Sequence, residues 1–325
     1  MYQPSDRWVW DFWLVHDDSF WHMFHLQAPK TLSPEQRHWH ATVGHAVSRN
    51  LIDWTPRATA LEMGMPGSWD DTAIWTGSVI RHHSGRWQMA YTGIAQEDGD
   101  FVERIGLAWS DDLDNWEKDP SNPVLESDPQ WYEQPGDSTW QHGWRDPFLV
   151  DLADDGYAML LSARILGASN PYGAGTIAVA TSPDGMSWVA QPPLPGIAGH
   201  FAQLEVPQLI KTGSQCHLIF CTNSDGPWPR DDPGAHPKIG TGEFLGPHLF
   251  GPFAEPPTFI DADEDGGRYA GRIIRTETDG YALLAFLDGD ADSFRGGVSD
   301  PIPVVICPDT NRFRLMEDMG RKDSA

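Results

Sequence analysis

The chain has 325 residues, a formal charge of −25 at pH 7 and a pI near 4.6. So acidic a molecule repels the phosphates of nucleic acid and of anionic membranes, which leaves a neutral or cationic small ligand as the expected partner and excludes nucleic acid and membrane. The length suffices to bury one large core or two ordinary ones, and 32 Gly, 27 Pro and 16 Trp with no long amphipathic helical run favour short strands and turns.

The first eleven residues lack the basic-then-apolar pattern of a leader, and no segment reaches the roughly 18 apolar residues of a membrane span. Cys216, Cys221 and Cys307 are odd in number and show no metal-ligand spacing. They are expected to fill core in a reducing compartment, consistent with a cytoplasmic location. Neither a cofactor nor a metal is expected.

Taken in order, the chain spells five hairpins. Residues 11–15 and 20–26 flank the polar turn 16–19, and 77–81 and 87–91 flank a turn at 83–86. Residues 146–152 and 157–161 surround Asp154-Asp155-Gly156, 205–210 and 216–220 surround Thr212-Gly213-Ser214-Gln215, and 271–275 and 281–286 surround Thr278-Asp279-Gly280. Apolar-rich runs around such turns are hairpin signals. A second phrase follows the first three hairpins. A strand ends in Ser48, Ser110 or Ser182, a tight turn contains Asn50, Asp112 or Asp184, and Trp54, Trp116 or Trp188 opens the next strand. These Trp side chains are read as packing one unit on the next.

Two hairpins make a four-stranded unit, and the units recur about every 60 to 70 residues, within the range of repeat architectures. Five fill the chain. The expected fold is all-β, a single five-bladed β-propeller over residues 1–325 with no room for a second domain; a two-sheet sandwich is the alternative. Segments 130–141 and 225–237, rich in Pro, Asp and Gly, read as long loops over one face.

Aligning the hairpins by their turns places Asp11, Asp146 and Glu205 at the start of the first strand of units one, three and four, where units two and five carry Ser78 and Gly271. First strands line the channel of a propeller, so the three acids are expected to converge on one pocket. Crowded carboxylates cannot all ionise cheaply, and at least one pKa should rise. Two carboxyl groups flanking a glycosidic bond can hydrolyse it, and a third can hold sugar hydroxyls. Trp8, Trp10, Trp13, Trp75, Trp140 and Trp144 would offer flat faces for sugar rings, and Arg145 a fork of donors. The competing reading is that Asp146-Pro147 is turn chemistry and the Trp residues fill seams between sheets. His38, His40 and His45 lie close together, but nothing completes a metal set, and they read as solvent-facing loop residues.

These residues resemble a family. Trp144-Arg145-Asp146-Pro147 is similar to the Arg-Asp-Pro motif of the fructan-active clan, glycoside hydrolase families 32 and 68, and Leu204-Glu205-Val206-Pro207 to the Glu-Cys-Pro motif of family 32. Trp75-Thr76-Gly77-Ser78 resembles the clan's Trp-Ser-Gly-Ser sugar contact. Val9-Trp10-Asp11-Phe12-Trp13 is closer to the Val-Trp-Asp-Ser-Trp segment of levansucrases than to the invertase Trp-x-Asn-Asp-Pro-Asn. The resemblance implies a five-bladed propeller without the C-terminal β-sandwich of family 32 and a small carbohydrate substrate, a β-fructofuranoside such as sucrose or a short fructo-oligosaccharide. It implies Asp11 as nucleophile, Glu205 as general acid and base, and Asp146 as the group that binds fructose hydroxyls and stabilises the transition state. Trp10, Trp75, Ser78, Trp144 and Arg145 become substrate contacts. Reaction would be retaining, with carboxyls about 5 Å apart, and fructosyl transfer would compete with hydrolysis. An inverting furanosidase of the arabinan-active propellers and a non-catalytic sugar-binding propeller are the alternatives.

Overall fold

A computed structural model describes residues 1–95, 98, 102–137, 142–223, 239–262, 267–276, 280–290 and 293–320. Five four-stranded antiparallel sheets form a five-bladed β-propeller. Blade 1 comprises β1 (Arg7–His16), β2 (Trp21–Pro29), β3 (Thr42–Ser48) and β4 (Thr55–Pro56). Blade 2 comprises β5 (Ala73–Arg81), β6 (Trp87–Ile94), β7 (Arg104–Ser110) and β8 (Glu117–Lys118). Blade 3 follows with β9 (Trp144–Asp151), β10 (Tyr157–Arg164), β11 (Gly175–Ser182) and β12 (Val189–Gln191), and blade 4 with β13 (Glu205–Thr212), β14 (Gln215–Thr222), β15 (Gly240–Gly246) and β16 (Thr258–Ala262). Blade 5 uses β17 (Arg268–Arg275) and β18 (Tyr281–Leu287), detours through the small hairpin β19 (Gly289–Asp290) and β20 (Ser293–Phe294), and finishes with β21 (Ile302–Ile306) and β22 (Phe313–Leu315). The first strands touch in a closed ring, β1 to β5 to β9 to β13 to β17 and back to β1.

Alternation along the second strand of each blade explains why the ring holds. Successive side chains leave a strand on opposite faces, and here each face meets a different neighbour. In β10, Met159 and Leu161 enter the core between blades 2 and 3, whereas Leu160 enters the core between blades 3 and 4. In β14, Leu218 and Phe220 face blade 3 while Ile219 joins Ile273 and Leu283 of blade 5. Met23 of β2 packs with Ile274 and Leu284 across the seam that closes the ring. Five apolar clusters thus fill five interfaces, each buried Leu, Ile or Phe stabilising by roughly 1.5–3 kcal/mol.

The phrase ending in Trp has a physical basis. Ser48, Ser110 and Ser182 each end a third strand. The side chain of the next-but-one residue accepts backbone N–H groups: Asn50 from Ile52 and Asp53, Asp112 from Asp114 and Asn115, Asp184 from Met186 and Ser187, all at 2.8–3.0 Å. The following residue is left-handed, with φ of 64° at Leu51, 66° at Leu113 and 71° at Gly185. The indole N–H of Trp54, Trp116 or Trp188 then donates to that residue's carbonyl at 2.9–3.1 Å. Trp116 packs edge-on against Phe24 of blade 1, as the inter-blade reading requires.

Two expectations are corrected. Asp11 and Asp146 do not begin their strands: β1 starts four residues before Asp11 and β9 two before Asp146. Nor are the three acids equivalent by ladder register. Every first strand breaks register once against its neighbour, between Val9 and Phe12, Trp75 and Gly77, Arg145 and Phe148, Glu205 and Gln208, and Tyr269 and Arg272. By that register Glu205 corresponds to Arg145 and Tyr269, and Asp146 to Val206. Turn loops differ in length from blade to blade, so alignment on turns slips against the hydrogen-bonded pairing. Segment 130–137 is tied to blade 3, Tyr132 donating to Gln191 O at 2.7 Å; residues 138–141 and 225–237, and the turn residues Thr278 and Asp279, lie outside the described residues.

Candidate active site

The five register breaks are β-bulges, and bulges re-aim side chains. At three of them a residue other than glycine adopts a left-handed backbone, Asp146 (φ 57°), Val206 (φ 53°) and Ala270 (φ 49°). Such backbones cost roughly 1–3 kcal/mol each and persist where surrounding structure fixes them. Their effect is to bring Asp11, Asp146 and Glu205, from blades 1, 3 and 4, onto the wall of one cavity of about 410 Å³. Trp39 is exposed at the cavity, the largely buried Trp10 and Trp75 border it, and Arg37, Tyr269 and Asp288 stand at other points of the lining.

Asp11 is partly exposed to the cavity, and its Oδ2 accepts from Thr76 Oγ1 at 2.5 Å. Burial, and next the charge of Asp146, raise its pKa to about 7 despite the Thr76 hydrogen bond. Asp146 is buried; its Oδ2 accepts from Ser162 Oγ (2.9 Å) and from the Val206 amide (3.0 Å), while its own amide donates to Thr92 Oγ1 at 3.0 Å. Burial raises the Asp146 pKa against the pull of Arg145. Glu205 Oε1 lies 2.7 Å from Arg145 Nη2, and Tyr269 Oη donates to Oε2. The Tyr269 phenol stays protonated, its pKa raised by burial and by Glu205.

Arg145 borders the cavity, but protein groups engage its fork. Its donors go to Glu205, to Glu103 Oε1 (3.3 Å), to His142 O (3.3 Å) and to Gln203 Oε1. Burial opposes its charge, but Glu103, Glu205 and Asp146 outweigh that and raise its pKa. Beneath the cavity, Arg272 donates to Phe12 O (3.2 Å), Val206 O (3.1 Å) and Pro207 O (2.9 Å), tying blade 5 to blades 1 and 4. His38 forms part of the wall; burial, and then Arg37, lower it to about 4, so the ring is neutral.

With this geometry in place the comparisons are informative. The family model for the Glycosyl hydrolases family 32 N-terminal domain matches residues 2–286. The chain belongs to that family. An acid beta-fructofuranosidase of Vicia faba is 34% identical over 131 residues, covering 38% of this chain and 19% of that protein. An extracellular sucrase of Zymomonas mobilis is 25% identical over 340 residues, covering 91% of this chain and 79% of the sucrase. The chain spans less than a third of the length of the plant relatives it matches first, between 18% and 28%. An inulosucrase from Halalkalicoccus jeotgali bound to kestose superposes with a TM-score of 0.76 at 19% identity, covering 96% of this chain and 87% of that one. Fructan 1-exohydrolase IIa from Cichorium intybus gives 0.68 at 18%, covering 96% and 58%. At these identities the structures establish the shared fold.

Within this family-32 propeller the expected substrate contacts divide. Trp10, Trp75 and Arg145 line the cavity; Trp144 and Ser78 do not. Trp144 is wholly buried in the core between blades 2 and 3 against Tyr132, because the Asp146 bulge turns the chain after it has already entered the seam. Ser78 follows the β5 bulge and faces blade 3, where its Oγ accepts from the Leu149 amide at 2.8 Å. Thr76, two residues earlier and on the bulge itself, takes the position at the cavity. Trp8 donates to Leu32 O at 3.0 Å and Trp13 stacks on Phe24 inside the core, while Trp140 lies outside the described residues. His45 is likewise no loop residue: it is buried in β3, stacked on Phe24 and 3.0 Å from His22. Among the described residues no three His, Cys, Asp or Glu side chains are placed to hold a metal ion. Sequence reasoning missed Thr76, Glu103, Gln203 and Tyr269. Only Tyr269 carried a signal, since it stands two residues before Gly271 as Glu205 stands two before Pro207.

Proposed function

We propose that this chain is the catalytic propeller of a retaining glycoside hydrolase acting on β-fructofuranosides, sucrose or short fructo-oligosaccharides. The observation that carries the reading is the convergence of Asp11, Asp146 and Glu205 on one aromatic-walled cavity in a family-32 propeller. A Asp11 carboxylate oxygen attacks the anomeric carbon of the fructosyl unit while Glu205 protonates the departing glycosidic oxygen; the glycosidic C–O bond breaks and a fructosyl–Asp11 ester forms. Glu205, now a carboxylate, removes a proton from water, whose oxygen attacks the same carbon and releases Asp11. A second sugar in place of that water gives fructosyl transfer. Asp146 accepts hydrogen bonds from fructose hydroxyls and stabilises the positive charge that develops on the ring. The exposed Trp39 offers a face for the apolar side of a sugar, with Trp10 and Trp75 bordering the cavity behind it.

Initial rates on sucrose, inulin-type oligosaccharides and levan, with Asp11→Asn and Glu205→Gln in parallel, test the assignment. Turnover of at least one substrate, lost in both variants, is expected. Full activity in either variant refutes its role. Proton NMR of the first-formed anomer separates retention from the inverting alternative, and saturable binding without turnover over long incubation would make the chain a sugar-binding propeller instead.

A further inference from the structure

Arg145 is gripped from two sides. On one side Nη2 meets Glu205 at 2.7 Å; on the other Nη1 meets Glu103 at 3.3 Å. Glu103 precedes β7 in blade 2, is 1% exposed and takes no part in the cavity lining, so it cannot touch a sugar. Its second oxygen accepts from the Trp144 amide at 2.6 Å. One buried carboxylate therefore fixes both the backbone leading into Arg145 and the guanidinium head itself. A buried charge of this kind costs several kcal/mol unless fully partnered, and hydrophobic packing alone would hold two blades together at least as well. What packing cannot do is set the direction of a planar fork of donors.

We propose that Glu103 is a positioning residue for proton transfer by Glu205, acting through Arg145, an inference that rests on the acid and base reading of Glu205. Glu103 on blade 2 draws the guanidinium back, so that only one edge of it meets Glu205 on blade 4. The remaining carboxyl oxygen of Glu205, oriented by Tyr269, is left to serve the glycosidic oxygen. With glutamine at position 103 the counter-charge is gone, and Arg145 turns wholly onto Glu205 and Asp146.

The test compares two fructosyl donors. Sucrose needs a proton on its leaving oxygen, whereas the fluoride of β-D-fructofuranosyl fluoride departs without one. The ratio kcat/KM reports only the steps up to loss of the leaving group. Glu103→Gln is expected to lower kcat/KM for sucrose roughly 10- to 100-fold, a part of the 10²–10⁴-fold that general acid catalysis supplies, and to leave the fluoride within about threefold of the unaltered protein. Glu205→Gln should show the same selectivity more strongly. An equal loss on both donors, or none on either, overturns the role of Glu103. Should Glu103→Gln fail to fold by thermal melting, Glu103→Asp, which keeps the buried charge but shortens its reach, is read in the same way. If Glu205→Gln is unselective the acid and base reading itself has failed, whereas a selective Glu205→Gln beside an unselective Glu103→Gln removes only the inference about Glu103.

Discussion

The Thr76 hydroxyl is the group best placed to control the pH at which Asp11 can act. Asp11 has a pKa of about 7 because burial and the Asp146 charge outweigh the hydrogen bond from Thr76 at 2.5 Å. A nucleophile must be ionised, so kcat/KM should fall tenfold per pH unit on the acid side of about 7. Thr76→Val keeps the shape and removes the donor. A hydrogen bond to a charged acceptor contributes roughly 1.5–3 kcal/mol, and about 1.4 kcal/mol corresponds to one pKa unit, so the acid limb should move up by roughly one to two units. At pH 6 the variant should be slower by roughly 10- to 100-fold. Initial rates of sucrose hydrolysis between pH 5 and 10 decide the matter. An acid limb that stays in place would refute the account of Asp11. Stability gives an independent reading. The folded pKa of Asp11 lies above its ordinary 3.8, so the stability it lends is complete below about 4 and is lost as pH rises through about 7. Asparagine carries no charge at any pH. The stability advantage of Asp11→Asn in urea titrations should therefore grow from pH 4 to 7 and level off above.

Three further outcomes follow from single contacts. Tyr269→Phe deletes the donor to Glu205 Oε2 and should lower kcat on sucrose roughly 10- to 100-fold with little change in KM, read from steady-state kinetics. Gly77→Ala would place a Cβ 2.2 Å from the carbonyl oxygen of Ala90, a backbone atom that cannot move without opening β5 from β6; a loss of at least about 1–3 kcal/mol is expected in urea unfolding. Glu243→Ala leaves Nδ1 of the buried His217 and the Phe313 amide, both at 2.7 Å from the carboxylate, without that acceptor, and should destabilise by roughly 2–5 kcal/mol with the seam between blades 4 and 5 exchanging amide hydrogens first.

The propeller was legible because its signals are local. Hairpin turns at Gly85, Gly156 and Gly213 require a left-handed backbone, and each strand-ending Ser with its Asx turn and Trp closes within seven residues. The three acids were legible only as motifs, Asp11 after Trp10 and Asp146 before Pro147. What stayed hidden depends on pairing between distant strands. Thr76 reaches Asp11 across 65 residues, Arg145 reaches Glu205 across 60, and Tyr269 reaches Glu205 across 64. Local pattern can mark such a residue, as the Arg-Asp-Pro motif marks Arg145, but not the partner it reaches, because the bulge that aims each of them is defined against the neighbouring strand. The misplacement of Ser78 for Thr76 and of Trp144 as a sugar contact has the same origin: a strand read without its bulge assigns alternate residues to the wrong face.

Around the cavity floor four carboxyl groups, Asp11, Glu103, Asp146 and Glu205, face two guanidiniums, Arg145 and Arg272. When all are ionised the negative charges exceed the positive by two. In the proposed reaction a neutral furanoside gains little from that excess in its ground state, but a transition state with positive charge on the ring gains more, since the groups are largely shielded from solvent and already oriented. The same excess, working with burial, keeps a proton on Asp11 until pH approaches 7. In the proposed mechanism, cation stabilisation and the acid limit on activity therefore share one electrostatic origin, and Arg272, fixed by three backbone carbonyls rather than by a carboxylate, opposes it at Asp11 less strongly than burial and the Asp146 charge support it.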